Sequence, residues 1–104
     1  MLKIKADPTF KAGVRIPTAG GKVHTIEMEF RHMTADEFRE FMSGEASVGR
    51  SDVDTVLALA VGWSGVDAPF NRESLEVLFQ HHIAAPREIG KVFAEELLQA
   101  REKN

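Results

Sequence analysis

Two alternating runs on either side of Thr18-Ala19-Gly20-Gly21 constrain this chain's fold most tightly. In the first, Phe10, Ala12, Val14 and Ile16 fall on one side, Lys11, Gly13 and Arg15 on the other, and Pro17 closes the run. The return run, Lys22 to Arg31, sets Ile26, Met28 and Phe30 against Thr25, Glu27, Glu29 and Arg31. Successive side chains of a strand point to opposite faces, so each run reads as a half-apolar strand. The glycines between them tolerate the positive φ that a reversal needs. The pattern predicts a β-hairpin with one wet face and one face that must be covered. Leu2, Ile4 and Ala6 alternate with Lys3 and Lys5 before Asp7-Pro8 interrupts, so the sheet has two strands, or three if this segment joins it.

The rest of the chain reads as the helices that supply the cover. Thr34 caps the N–H of Glu37 and Glu37 reaches back, a capping box, with Met33 and Phe38 at the positions of a hydrophobic staple. Phe38, Phe41 and Met42 make a narrow apolar stripe that ends at Ser43-Gly44. Glu45 to Arg50 is small, polar and glycine-containing, and reads as a mobile loop. Asp52 to Asn71 is the most apolar stretch and holds the single tryptophan. On a helix, Val53, Val56, Leu57, Leu59, Ala60 and Val61 would cover well over half the circumference, more than the roughly 100° stripe of a surface helix. This predicts a central helix from Ser51 to near Gly62, buried on most sides, with Trp63 just past its end.

Asn71 begins a third helix with Phe70 and Leu75 at staple positions; Leu75, Leu78 and Phe79 face inward and Val77 points away. Pro86 suits the first position of a fourth helix. Ile89, Val92, Phe93, Leu97 and Ala100 form its apolar face, and Arg101 and Lys103 sit where positive charge favours a helix C-terminus. Strands first and helices after is the α+β order: an antiparallel hairpin sheet near the N-terminus packed against about four C-terminal α-helices, as a single domain over 1–104.

Composition narrows the function classes. A net charge of −3 argues against binding nucleic acid through phosphate neutralisation. The chain has no cysteine, which excludes disulfides, thiolate metal sites and cysteine nucleophiles. No apolar run approaches the eighteen or so residues of a membrane span, and MLKIKADPTF lacks the apolar core of a signal peptide. The expectation is a soluble intracellular protein.

No cluster of residues reads as a catalytic or metal site. His24 and His32 lie on the same face of one strand, about 27 Å apart, too far to share a metal. His81 and His82 point about 100° apart on a helix, and His82 reads as a partly buried helix-end residue. Asp36, Glu37, Asp52 and Asp54 occupy first turns, where the helix dipole explains them. No serine sits in a nucleophile elbow; Gly62-Trp63-Ser64-Gly65 has the wrong spacing. Ala19-Gly20-Gly21-Lys22 joins two strands and leads into no helix, so it is not a phosphate loop. No cofactor or metal is expected. What remains is apolar surface. Trp63, Val66, Val77, Ile83 and Leu98 are left over once the stripes are assigned to the core. They are the candidate partner contacts, although the passage 63–70 could instead fold back to cover them.

The chain resembles the tail assembly chaperones of long-tailed, siphovirus-type bacteriophages and prophages. The likeness runs through DPTFKAGVRIPTAGGK, EMEFRHMTADEFREF, VGWSGVDAPFNRESLEVLF and AREKN, over about residues 6–104. It rests on the order and spacing of these segments, none of which is catalytic. The resemblance implies a non-enzymatic protein of the host bacterial cytoplasm that is absent from the mature virion. It further implies binding to the tape measure protein, which is kept soluble, and support of tail tube polymerisation. A homo-oligomer and a longer, ribosomally frameshifted product that recruits the tail tube protein are also implied. The competing reading is a structural tail or head–tail protein retained in the virion; a third is a small cytoplasmic enzyme or regulator. The resemblance carries over no contact residue.

Overall fold

The computed structural model describes residues 1–99, except for the side chain of Ala46. The hairpin forms as its alternation requires. Strands β1 (Thr9–Pro17) and β2 (Val23–Arg31) pair antiparallel with Val14 opposite Ile26 and Ala12 opposite Met28. Gly20 and Gly21 take φ of 92° and 84° in the turn, a region that side chains with a Cβ rarely enter. Val14, Ile16, Ile26, Met28 and Phe30 are buried on one face, while Lys11, Arg15, Thr25, Glu27 and Arg31 are exposed on the other.

Helix α1 (Ala35–Met42) starts at the capping box read from the sequence. Thr34 Oγ1 accepts from the Glu37 N–H at 3.2 Å, and Glu37 Oε1 accepts from the Thr34 N–H at 2.9 Å. The passage expected to be a mobile loop instead holds one helical turn, α2 (Gly44–Ser47). Arg50 anchors the end of this passage to α1: its guanidinium stacks 3.9 Å above the Phe41 ring and donates to the Phe41 carbonyl at 3.0 Å. This planar cation, which can stack and donate at once, is the feature that a reading of small polar residues overlooks.

Helix α3 (Asp52–Leu59) begins at a second capping box, Ser51 with Asp54, and buries Val53, Val56 and Leu59. It is shorter than the sequence predicts. At Ala60 the chain becomes extended and runs as β3 (Ala60–Ser64), which pairs antiparallel with β2 to give the order β1-β2-β3. The sheet therefore has three strands, but the third comes from 60–64; Leu2 to Ala6 forms no strand. Phe30 faces Ala60 and Glu29 faces Gly62, so Val61 is the extra residue of a β-bulge. Val61, placed on the helix's buried surface by the periodicity, is exposed in consequence. Two forces favour the strand. Gly62 is a poor helix residue, and the free edge of β2 offers Ala60 to Ser64 a ladder of backbone hydrogen bonds.

Helix α4 (Arg72–His81) is capped by Asn71, whose Oδ1 accepts from the Ser74 N–H at 2.8 Å. Arg72 crosses to Asp54 at 2.8 Å and joins the first turns of α4 and α3. Helix α5 (Ala85–Leu98) has Pro86 in its first turn and ends at Gln99, which is left-handed at φ 54°. Ala100, Arg101 and Lys103 lie outside the described residues. Ile89 and Phe93 of α5 pack onto β1, and the rings of Phe10, Phe30 and Phe93 meet pairwise at 5.6–6.0 Å. α3 lies between α5, α4 and the sheet.

Candidate partner-binding surface

Trp63 is half-buried, and its surroundings follow from the register of β3. Opposite Met28, the indole points to the core side of the sheet at its β3 edge. Its Nε1–H donates to the Ala68 carbonyl at 2.8 Å, and its ring meets Phe70 edge-on at 5.1 Å. Phe70 thus packs against Trp63 as well as standing before α4. Gly65, with φ 86°, makes the turn that returns the chain toward this ring. The passage 65–70 does fold back, as one sequence reading holds, but it covers only part of the apolar surface.

What it leaves is a groove of about 460 Å³ between this passage and α4, lined by Trp63, Val66, Val77 and Leu78, with Asp67 and Glu73 on its rim and His81 and His82 at one end. A second depression of similar size continues from it toward the hairpin turn, sharing Val66, Asp67, Leu78 and His82 and adding Ile16, Ile26 and His24. His82 caps α4 and is half-buried, as its position on the stripe suggests, with Nδ1 enclosed and without a hydrogen-bond partner among the described residues.

A separate groove of about 650 Å³ lies between α1 and the end of α5. Met33, Phe38, Met42, Leu97 and Leu98 line it, with His32 and Arg39 beside them. Its origin is a mismatch in α1: the helix has a strongly amphipathic sequence, yet none of its residues is fully buried. Phe38 and Phe41 are half-buried against the core, and Met42 is 60% exposed.

The five candidates thus separate. Trp63, Val66 and Val77 come together in the first groove. Leu98 belongs to the α1–α5 groove. Ile83, 87% exposed in the turn between α4 and α5, lines neither. Sequence reasoning missed Met42, Phe38 and Leu97 as surface because it spent them on core stripes. The available signal was the length of α1, two turns with only three large apolar residues, which cannot bury a full stripe.

The charged groups with shifted proton affinity stand away from both floors. Hydrogen bonds from Thr34, backbone first and then side chain, hold the Glu37 carboxyl below its usual range. Arg72, then Ser51, does the same for Asp54. Both serve helix starts. Among the described residues, no three His, Asp or Glu side chains are grouped to hold a metal ion, and no helix is long and apolar enough to cross a membrane.

The geometry defines a small α+β domain whose distinguishing surface is two apolar grooves, the kind of relief on which protein segments dock. Comparison with known families agrees with that class. The family model described as phage tail assembly chaperone matches residues 1–104, and the chain belongs to that family. No curated protein and no solved structure matches the chain significantly.

Proposed function

We propose that this chaperone is non-enzymatic and acts by holding the tape measure protein soluble in the host bacterial cytoplasm while the tail tube polymerises, and that it is left out of the finished virion. The observation that carries this reading is the α1–α5 groove. Its floor of Met33, Phe38, Met42, Leu97 and Leu98 is apolar, as an amphipathic client helix requires. Methionine and leucine side chains re-pack around differing partners, which suits a client that offers many similar apolar turns. Arg39 beside the floor forms an exposed pair with Asp36 at 2.9 Å, of a kind that an acidic residue on the client's flank can exchange. Self-association of the chaperone would multiply such modest contacts along one client. A longer frameshifted product that brings in the tail tube protein belongs to the same proposal.

Co-expression with the tape measure protein tests it. The chain should raise the client's soluble fraction, and Met42→Asp with Leu98→Asp should abolish that gain while the purified variant keeps its melting temperature. No gain with the unaltered chain refutes the reading. Mass spectrometry of purified virions separates it from the alternative of a structural tail or head–tail protein: the chain should be missing from the particle.

A further inference from the structure

The first seven residues join no strand or helix of their own chain; the ladder begins at Pro8, whose carbonyl accepts from the His32 N–H at 2.9 Å. Leu2 and Ile4 are 91% and 98% exposed, and no strand includes them. Yet Leu2, Ile4 and Ala6 alternate with Lys3 and Lys5, the pattern of a strand with one apolar and one basic face. Lys3 and Asp7 form an exposed pair within the segment at 3.0 Å, of a kind that is readily exchanged.

The Trp63 groove has the complementary character. Its floor is apolar and its rim carries Asp67 and Glu73, both exposed. Among the described residues no carboxylate lines the α1–α5 groove, so the lysines find no partner there. We infer that the arm of residues 1–7 of one copy lies extended in the Trp63 groove of a second copy, with Leu2 and Ile4 against Val66, Val77 and Leu78 and with Lys3 and Lys5, on its outer side, reaching over to the rim carboxylates Asp67 and Glu73.

The strand order gives the reason for a second copy. The arm leaves β1 at Thr9, on one edge of the sheet, and the groove borders β3, the opposite edge. An arm reaching its own groove would have to pass across the whole sheet. Exchange between two copies requires no such detour, and a reciprocal exchange closes a dimer with two identical contacts. The inference specifies the contact behind the self-association proposed above and rests on that reading.

A charge-swap experiment on the full chain tests it. Lys3→Glu with Lys5→Glu makes the arm acidic; Asp67→Lys with Glu73→Lys makes the rim basic. All four positions are exposed, so both variants should fold, which circular dichroism and thermal melts verify. By sedimentation velocity the unaltered chain should associate, and each variant alone should lose the associated species. An equimolar mixture should regain it, because each arm then meets a groove of opposite charge. A chain that associates while both variants associate equally well overturns the arm exchange and leaves self-association standing. A chain that is monomeric at every concentration overturns both. Loss in each variant without recovery on mixing also overturns the exchange, since the charges would then act elsewhere.

Discussion

Replacing Trp63 separates what the ring does for this chain from what it does for a partner. Truncating a fully buried tryptophan to alanine costs about 3–5 kcal/mol. Trp63 is half-buried, which places Trp63→Ala near the lower end, about 3 kcal/mol. Two contacts make up that loss: the edge-on packing with Phe70 at 5.1 Å and the hydrogen bond to the Ala68 carbonyl at 2.8 Å. Trp63→Phe keeps an aromatic edge for Phe70 and removes the hydrogen bond, so it should cost about 1 kcal/mol plus the smaller ring's lost area. For a domain near 100 residues each kcal/mol moves the melting temperature by roughly 4–8 °C, so the alanine variant should melt roughly 12–24 °C lower. Urea denaturation followed by far-ultraviolet circular dichroism gives the free energies, and hydrogen exchange at residues 65–70 should quicken first. An alanine variant within about 0.5 kcal/mol of the unaltered chain refutes the reasoning, because the ring would then serve only a partner. Equal losses in the two variants would refute the division between ring and hydrogen bond.

Three further outcomes test other parts of the fold. Phe93 is 2% exposed and touches the rings of Phe10 and Phe30, so Phe93→Ala should cost about 3–5 kcal/mol in urea denaturation, toward the upper end because two aromatic contacts are lost. Gly65→Ala forces a Cβ into φ 86° with only ordinary contacts around it, so its cost should be that of the backbone, about 1–2 kcal/mol by thermal or urea melts. Acid stability depends on Glu37 and Asp54. Both have folded values depressed from the ordinary 4.5 and 3.8, so below those values the unfolded chain binds more protons. Their contribution is complete at neutral pH and is lost as pH falls through that range; Glu37→Gln with Asp54→Asn should flatten the acid limb of a stability–pH curve measured by urea titration.

The parts of this fold that were legible in the sequence are those decided within a few residues. The hairpin's two faces, the box at Thr34, the helix starts at Ser51 and Asn71 and the turn glycines depend on neighbours in sequence, and each stands where local chemistry puts it. The third strand was not legible. Leu59-Ala60-Val61 is a continuous apolar run, and such a run reads equally as a buried helix end or a buried strand. What decides it is the unpaired edge of β2, some thirty residues earlier in the chain, which no window around Ala60 contains. The same cause moved Val61 from the expected core to the surface, since a bulge has no helical periodicity.

The candidate surface divides along the same line. Trp63, Val66 and Val77 could be set aside as surplus to the stripes, and they share a groove because β3 and α4 are brought together by contacts distant in sequence. Met42 could not, because its stripe looked complete while the helix carrying it was too short to bury it. Leu2 to Ala6 is the converse case, a strand pattern that its own chain leaves unpaired. The two failures carry the same physical message. Apolar periodicity records that a face is to be covered, and it is silent on whether the cover is the same chain, another copy or a client. Where the fold leaves such a face open, as at α1 and along the arm, the unmet periodicity is what the proposed contacts rest on. That is why the charge-swapped arm and the Met42–Leu98 variant, which leave the core untouched, are the perturbations that should change assembly without changing stability.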